Sequence, residues 1–317
     1  MKVTEHIRQR KGTLISFEIL PPVKGRSIQQ LYQHLDALME CKPAFINVTY
    51  HRAEQVFKKR ENGDFQQIEI RKRPGTVGIC AAIMNRYRVD AVPHLICGGF
   101  TKEETENALI DLHYLGIDNV LALRGDAPGG QKFFAPQANG HRYAVDLVQQ
   151  INRLNAGQYL EEDVLDAGCS DFCIGVAGYP EKHYEAANMA LDMQHLSEKI
   201  RAGAAYITTQ MFFDNQKFFS FREQCHALGI NVPVIPGLKP VTLKKQLQTI
   251  PGIFHVDIPA DLTSEMMRCN TEAACEQVGT EWLIAQCKEL IAQKVPVLHF
   301  YTMGQPRVIL NVIKAVF

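Results

Sequence analysis

The 317 residues are 46% hydrophobic and 21% charged, enough apolar material for one large core or two small ones. Lys plus Arg and Asp plus Glu both number 34, so the net charge is zero; nothing recommends a nucleic acid or an anionic membrane as partner, and a small-molecule ligand is expected. Nine cysteines, an odd number with no paired metal spacing, suit a reducing compartment, and without a leader or a long apolar span the expectation is a cytoplasmic protein with no metal.

The first informative element is an apolar run over residues 14–20 that Pro21 and Pro22 stop. Alternation puts Ser16 and Glu18 on one face and Ile15, Phe17 and Ile19 on the other, as in a barrel strand with polar groups lining the centre. A buried carboxyl is costly, and its pKa rises toward the range a general acid needs near neutrality; a structural acid paired with a buried cation is the other reading.

A helix follows over residues 28–39, with Ile28, Leu31, Leu35 and Leu38 on one face, and then a strand near Phe45. Residues 51–76, carrying Lys58, Lys59 and Arg60, form a charged excursion, read as a solvated hairpin or lid. After a strand near Ala91, Thr101 and Glu104 form a capping box that opens a helix through Ala108, Leu109, Leu112 and Leu115. Later strands begin near Asn119, Cys173, Tyr206, Val232 and Val295. The later helices read over residues 143–154, 184–202, 218–228, 282–291 and 308–316. Gly116, Gly203 and Gly229 each stand where a helix would end and a strand begin, as C′ caps. Long loops are expected over 125–141, including Pro128, Gly129 and Gly130, and over 155–170.

Eight strands alternating with helices favour an α/β fold of the closed (β/α)8 TIM-barrel type, a single domain over residues 1–317, rather than an open doubly wound sheet. No second domain is expected. Neither a G-x-G-x-x-G turn nor a P-loop follows any strand, so a nucleotide would be held another way. Ligands of such barrels bind at the C-terminal ends of the strands. That rim offers Glu18, Thr49, His94, Arg124, Asp126, Tyr179, Gln210, His299, Tyr301 and Thr302, with Asn47 and Thr208 facing inward below it. Uncharged hydrogen-bonding groups at places where Val, Ile or Leu would serve stability suggest a polar heterocycle at the mouth.

These residues fall in blocks: Ser16, Phe17 and Glu18 with Pro21 and Pro22; Val48, Thr49 and Tyr50; Pro93 to Cys97; Leu123 to Asp126; Tyr179 to His183; Thr209 to Asp214; Pro236 and Gly237; and His299 to Thr302. Together, in this order and one per strand end, they resemble the methylenetetrahydrofolate reductase family. The resemblance implies FAD as cofactor, reduced by NADH or NADPH and then passing hydride to 5,10-methylenetetrahydrofolate in ping-pong fashion. It implies Glu18 as the acid that opens the imidazolidine ring and Asp126 as a carboxylate near flavin and pterin. Substrate contacts fall on Asp126, Gln210 and Gln246. Flavin contacts fall on Thr49, Tyr50, His94, Arg124, Gly125, Asp126, Tyr143, Ala144, Tyr179, His183, Ala186, Asp192, His195 and Lys199.

Some positions depart from the family pattern. His51, Arg52 and Ala53 replace a small, glycine-rich turn; His195 and Glu198 stand where relatives often have Asn and Arg; and Gln305, with Arg307 two residues on, replaces a folate-contacting Arg. Homo-oligomerisation is left open by the sequence. A flavin-free pterin-binding barrel methyltransferase is the alternative function, and a barrel that binds cofactor without turnover a third.

Overall fold

The structure is a computed structural model describing residues 1–127, 133–303 and 306–317, with Gln55 described for its backbone only. The loop positions Pro128, Gly129 and Gly130, and Gln305, lie outside the described residues. Eight strands close a parallel barrel: β1 (Leu14–Ile19), β2 (Phe45–Val48), β5 (Asp90–Ile96), β6 (Asn119–Leu123), β7 (Cys173–Gly178), β8 (Tyr206–Met211), β9 (Val234–Leu238) and β10 (Val297–Tyr301). The circle is completed by β10 lying beside β1, with Ser16 opposite His299 and Glu18 opposite Tyr301. Two further strands, β3 (Glu54–Lys59) and β4 (Phe65–Ile70), pair antiparallel outside the barrel. The charged excursion is thus a hairpin, with Phe57 and Phe65 exposed.

Helices α2 (Ile28–Met39), α3 (Thr76–Tyr87), α4 (Lys102–Tyr114), α5 (Ala144–Asn155), α6 (Met189–Arg201), α7 (Asn215–Ala227) and α10 (Glu272–Ala292) lead from each strand to the next. α1 (Val3–Gln9) precedes the barrel, α8 (Gln246–Phe254) and α9 (Ala260–Arg268) are inserted after β9, and α11 (Pro306–Val316) follows β10. The Thr101 capping box forms as expected, and Gly116, Gly203 and Gly229 all take positive φ directly after α4, α6 and α7. None of the described helices is long and apolar enough to cross a membrane.

Two expectations are corrected, and α1, α3, α8 and α9 are additions to the sequence reading. α6 begins at Met189, not Tyr184, because Asn188 caps it by accepting from the Leu191 amide; residues 184–188 stay in the loop that shapes the site. α10 begins ten residues before Trp282, at Glu272, with Thr271 as its cap. Cys275, Gly279, Leu283, Gln286, Cys287 and Leu290 are all buried along it, so its sequence shows no single apolar stripe. α3 was not expected: Gly78 and the β-branched Val77, Ile79 and Ile83 argue against a helix locally, and packing on β5 overrides them.

Strand alternation divides the barrel interior into layers. Phe45, Val92, Leu121, Cys173, Tyr206, Ile235 and Val297 form an apolar bottom with Val3 and Ile7 of α1. One layer further along, the interior turns polar on β1, β2, β5, β8 and β10, with Ser16, Asn47, His94, Thr208 and His299 all buried, while β6, β7 and β9 place Leu123, Gly175 and Gly237 there. Ile15, Phe17 and Ile19 point outward into the main core beneath the helices, as their spacing predicts.

Candidate active site

The polar layer is built around two pairs. Ser16 Oγ lies 2.8 Å from His299 Nδ1, and Asn47 Nδ2 lies 3.4 Å from His94 Nε2. Desolvation draws both histidines down to about 3, so both rings are neutral near pH 7. His299 Nε2 and Asn47 Oδ1 are buried with no partner among the described residues. One step nearer the mouth, Glu18 places Oε2 at 3.5 Å from His94 Nε2. Burial alone pushes its carboxyl up to about 8. The geometry would pass for an ion pair, but a protonated acid beside a neutral ring is the better description, because desolvation disfavours both charges. Tyr301 closes this side, its hydroxyl donating to the Thr209 carbonyl at 2.6 Å.

The ends of β2, β5 and β6 form one wall. The Thr49 amide continues the sheet by donating to the Ile19 carbonyl at 3.1 Å. Tyr50 packs its ring 4.9 Å from Phe100 and accepts from Arg71 through its hydroxyl. Arg124 leaves β6 to pair with Glu185 and to cover the Phe134 ring at 5.1 Å. Gly125 turns with φ of 81°, where a Cβ would sit 3.3 Å from Ile96; only glycine takes this turn without strain. Asp126 is exposed at the rim, and its charge is felt by His51, Arg52, Tyr179 and Tyr184. Tyr143 precedes Ala144 at the start of α5 and accepts from Cys97 Sγ through its carbonyl.

The opposite wall comes from β7 and α6. Tyr179 meets the His183 ring edge-on at 4.8 Å, and burial raises its phenol well above the ordinary value. The His183 amide donates to Asp192 Oδ2 at 2.9 Å, tying the loop to the first turn of α6. Ala186 is buried in that loop. Lys199 reaches back along the helix to donate to the Ala177 carbonyl at 2.6 Å; burial lowers its ammonium to about 8 although Asp192 opposes the shift.

Other expected residues are less committed to the mouth. His195 lies exposed on α6 between Asp192 and Lys199. Gln210 sits at the bulge of β8 and folds its side-chain oxygen onto the Met211 amide. Gln246 uses its oxygen to accept from the Thr242 and Leu243 amides, stabilising the turn that opens α8. Arg307 pairs with Glu276 of α10. Arg52 packs beside Gly98 and Gly99 rather than near α6.

Sequence reasoning missed Glu185 and Phe134, which engage Arg124, and the cluster in which Lys217 joins Glu181 to Asp257. These partners come from different loops, and no spacing along the chain announces them.

A model of the family described as methylenetetrahydrofolate reductase matches residues 2–316. The chain belongs to the methylenetetrahydrofolate reductase family. A relative from Arabidopsis thaliana, methylenetetrahydrofolate reductase (NADH) 1, is 32% identical over 318 residues, covering 96% of this chain and 49% of the relative. The chain thus spans about half the length of the plant relatives it matches. The 5,10-methylenetetrahydrofolate reductase of Escherichia coli is 32% identical over 292 residues, 92% of this chain and 86% of that protein. Among solved structures, a Clostridium thermocellum protein described as binding two copies of 5-methyl-5,6,7,8-tetrahydrofolic acid superposes with a TM-score of 0.59 over 99% of this chain and 98% of its own. At 14% identity that likeness supports the barrel fold alone.

Proposed function

We propose that this methylenetetrahydrofolate reductase family member reduces 5,10-methylenetetrahydrofolate to 5-methyltetrahydrofolate with electrons from a reduced nicotinamide, that it works through FAD, and that residues 1–317 act as one catalytic barrel. The observation that carries the reading is Glu18: an acid inside a barrel mouth, still protonated near neutrality, next to neutral His94.

The residues present fit a flavin dinucleotide. Lys199 is a buried ammonium whose hydrogen-bond partner is a backbone carbonyl, a cation suited to an anionic ligand, and Arg124 supplies a second cation across the mouth. Thr49, Tyr50, His94, Gly125, Asp126, Tyr143, Ala144, Tyr179, His183, Ala186 and Asp192 complete the walls, with His195 at the outer edge. When bound, a flavin supplies storage of a hydride between two substrates that use the site in turn.

The chain's own residues do the rest. Glu18 holds a proton at its carboxyl and delivers it to the departing nitrogen of the substrate's five-membered ring, because opening to the cationic iminium requires that nitrogen to leave protonated. Asp126 favours that cation by charge. Gln210 orients whichever ligand is present, its amide nitrogen remaining to donate while its oxygen is held by Met211. Gln246 offers the folate its amide nitrogen from the start of α8. The buried layer of Ser16, Asn47, His94 and His299 fixes the position and protonation of Glu18.

The test is purification followed by anaerobic stopped-flow. A yellow protein whose flavin band bleaches with NADH or NADPH and returns with methylenetetrahydrofolate supports the proposal; the faster of the two donors identifies the physiological nicotinamide. A colourless protein that refuses FAD would sink it and favour a flavin-free pterin-binding methyltransferase.

A further inference from the structure

Glu185 occupies the guanidinium on which flavin binding is expected to draw. Arg124 Nη1 donates to Glu185 Oε2, and the two side chains are only 17% and 24% exposed. Glu185 does not arrive there by chance of a long surface side chain. Its other oxygen accepts from the Tyr184 hydroxyl at 2.7 Å, and its amide donates to His183 Nδ1 at 3.2 Å. The loop that carries it also presents His183 and Ala186 to the site. Tyr184 is itself braced by stacking on His255 at 4.4 Å. The carboxylate is therefore pre-positioned, and Phe134 covers the guanidinium as well.

The pairing makes the Arg124 guanidinium costly for an anionic ligand to reach. Around the mouth the cations include Arg124, Lys199, Lys182, which donates to the His183 and Ala186 carbonyls, and Arg52, and the carboxylates include Asp126, Glu185 and Asp192. His183 adds no charge near neutrality, since burial lowers it, and Glu198 is engaged with Gln194. A dinucleotide would bring two phosphates to a mouth where Glu185 already holds the Arg124 guanidinium. Like charges in a partly buried site repel strongly enough to affect affinity.

We propose that Glu185 is an internal competitor of the anionic groups of the cofactor: it holds the Arg124 guanidinium, which an anionic group of the dinucleotide must take from it, thereby setting how tightly FAD is held. The inference rests on the flavin reading above. It assigns Glu185 a positioning role that weakens binding rather than strengthening it, so its removal has an unusual sign.

The experiment measures FAD binding to flavin-stripped protein by fluorescence quenching at low and high salt, for the wild type, Glu185→Gln and Tyr184→Phe, with riboflavin as a ligand lacking phosphates. Glu185→Gln is expected to bind FAD about five- to tenfold tighter at low salt, with the gain shrinking as salt rises and riboflavin affinity unchanged. Tyr184→Phe, which frees one carboxylate oxygen, should shift FAD affinity the same way by a smaller factor, and stands in if Glu185→Gln fails to fold. Unchanged or weaker FAD binding in the variants overturns the proposal, as does an equal gain for riboflavin. A wild-type protein that binds neither flavin defeats the flavin reading instead.

Discussion

Glu18 and His94 stand 3.5 Å apart as neutral partners, an acid that keeps its proton and an imidazole that declines it. Transfer would leave two opposite charges in the barrel, and at 3.5 Å the contact is too long for a strong charge-assisted hydrogen bond to repay their desolvation. The proton therefore stays on the carboxyl, where a substrate entering from the open end can take it.

Glu18→Gln removes that proton and keeps the shape. Reduction of flavin by the nicotinamide should be nearly unaffected, whereas oxidation by methylenetetrahydrofolate should slow by roughly 100-fold or more, the usual worth of a positioned general acid. Stopped-flow measurement of each half-reaction separates them. Normal folate turnover in this variant would remove Glu18 from the mechanism.

The same group shapes stability against pH. Glu18 is protonated in the folded chain up to about 8 but ionises near 4.5 when unfolded, so between those values the folded state binds the extra proton and stability falls as pH rises. His94 and His299 act oppositely: neutral when folded down to about 3, they take a proton near 6.5 when unfolded, so stability falls as pH drops from 6.5 toward 3. Above pH 6.5 the glutamate's effect is unopposed by the two rings. Denaturant melts of flavin-free protein should show Glu18→Gln gaining on the wild type from pH 6.5 to 8, by on the order of 1–2 kcal/mol. A constant difference across that window would contradict the burial argument.

Asp126 is exposed at the rim, so Asp126→Asn should leave the fold intact and change FAD affinity less than folate reduction. Loss of its charge should slow the folate half-reaction by about tenfold, equivalent to 1.4 kcal/mol of transition-state stabilisation. Titration with FAD beside single-turnover kinetics checks this; equal losses in both would make the residue structural.

Lys199→Met should separate stability from binding. The buried ammonium costs the flavin-free protein stability below about pH 8, since its folded pKa lies below the ordinary 10.5, and Met fills similar space without the charge. The variant is expected to melt higher than the wild type when stripped of flavin yet to bind FAD at least about tenfold more weakly. Thermal melts with and without FAD give both signs in one experiment.

Gly237→Ala tests the close approach of β9 to its neighbours. A Cβ there would lie 2.2 Å from the Thr209 carbonyl oxygen and 2.6 Å from the Tyr301 hydroxyl, two atoms already hydrogen-bonded to each other. A backbone oxygen cannot step aside, so the substitution should cost about 2–3 kcal/mol or more and lower the melting temperature by several degrees. A variant as stable as the wild type would show that β9 can shift freely.

The barrel was legible because its signals are local and repeated. Short apolar runs, caps such as Thr101 and C′ glycines such as Gly116 mark eight units whose order leaves few topologies. Glu18 stood out for the same reason, as one carboxylate in an apolar strand whose alternation fixes its direction. α3 and the first half of α10 did not show, because their helicity is imposed by neighbours rather than by an amphipathic stripe. At the site, residues on strands were predictable in direction. Those on loops were not: Gln246 spends its oxygen on a turn, Arg307 turns to Glu276, and Arg124 finds Glu185 sixty-one positions away.

Closing the circle through β1 and β10 has a further consequence, for how the chain comes to be folded. Leu14 meets Val297 only after every other strand of the barrel has been made, so one edge of the first strand waits until then without its hydrogen-bonded neighbour. Because Glu18 lies on that strand opposite Tyr301, the acid acquires its buried surroundings only when the barrel closes, and chains stalled before β10 would present Leu14 to Ile19 as an adhesive edge instead.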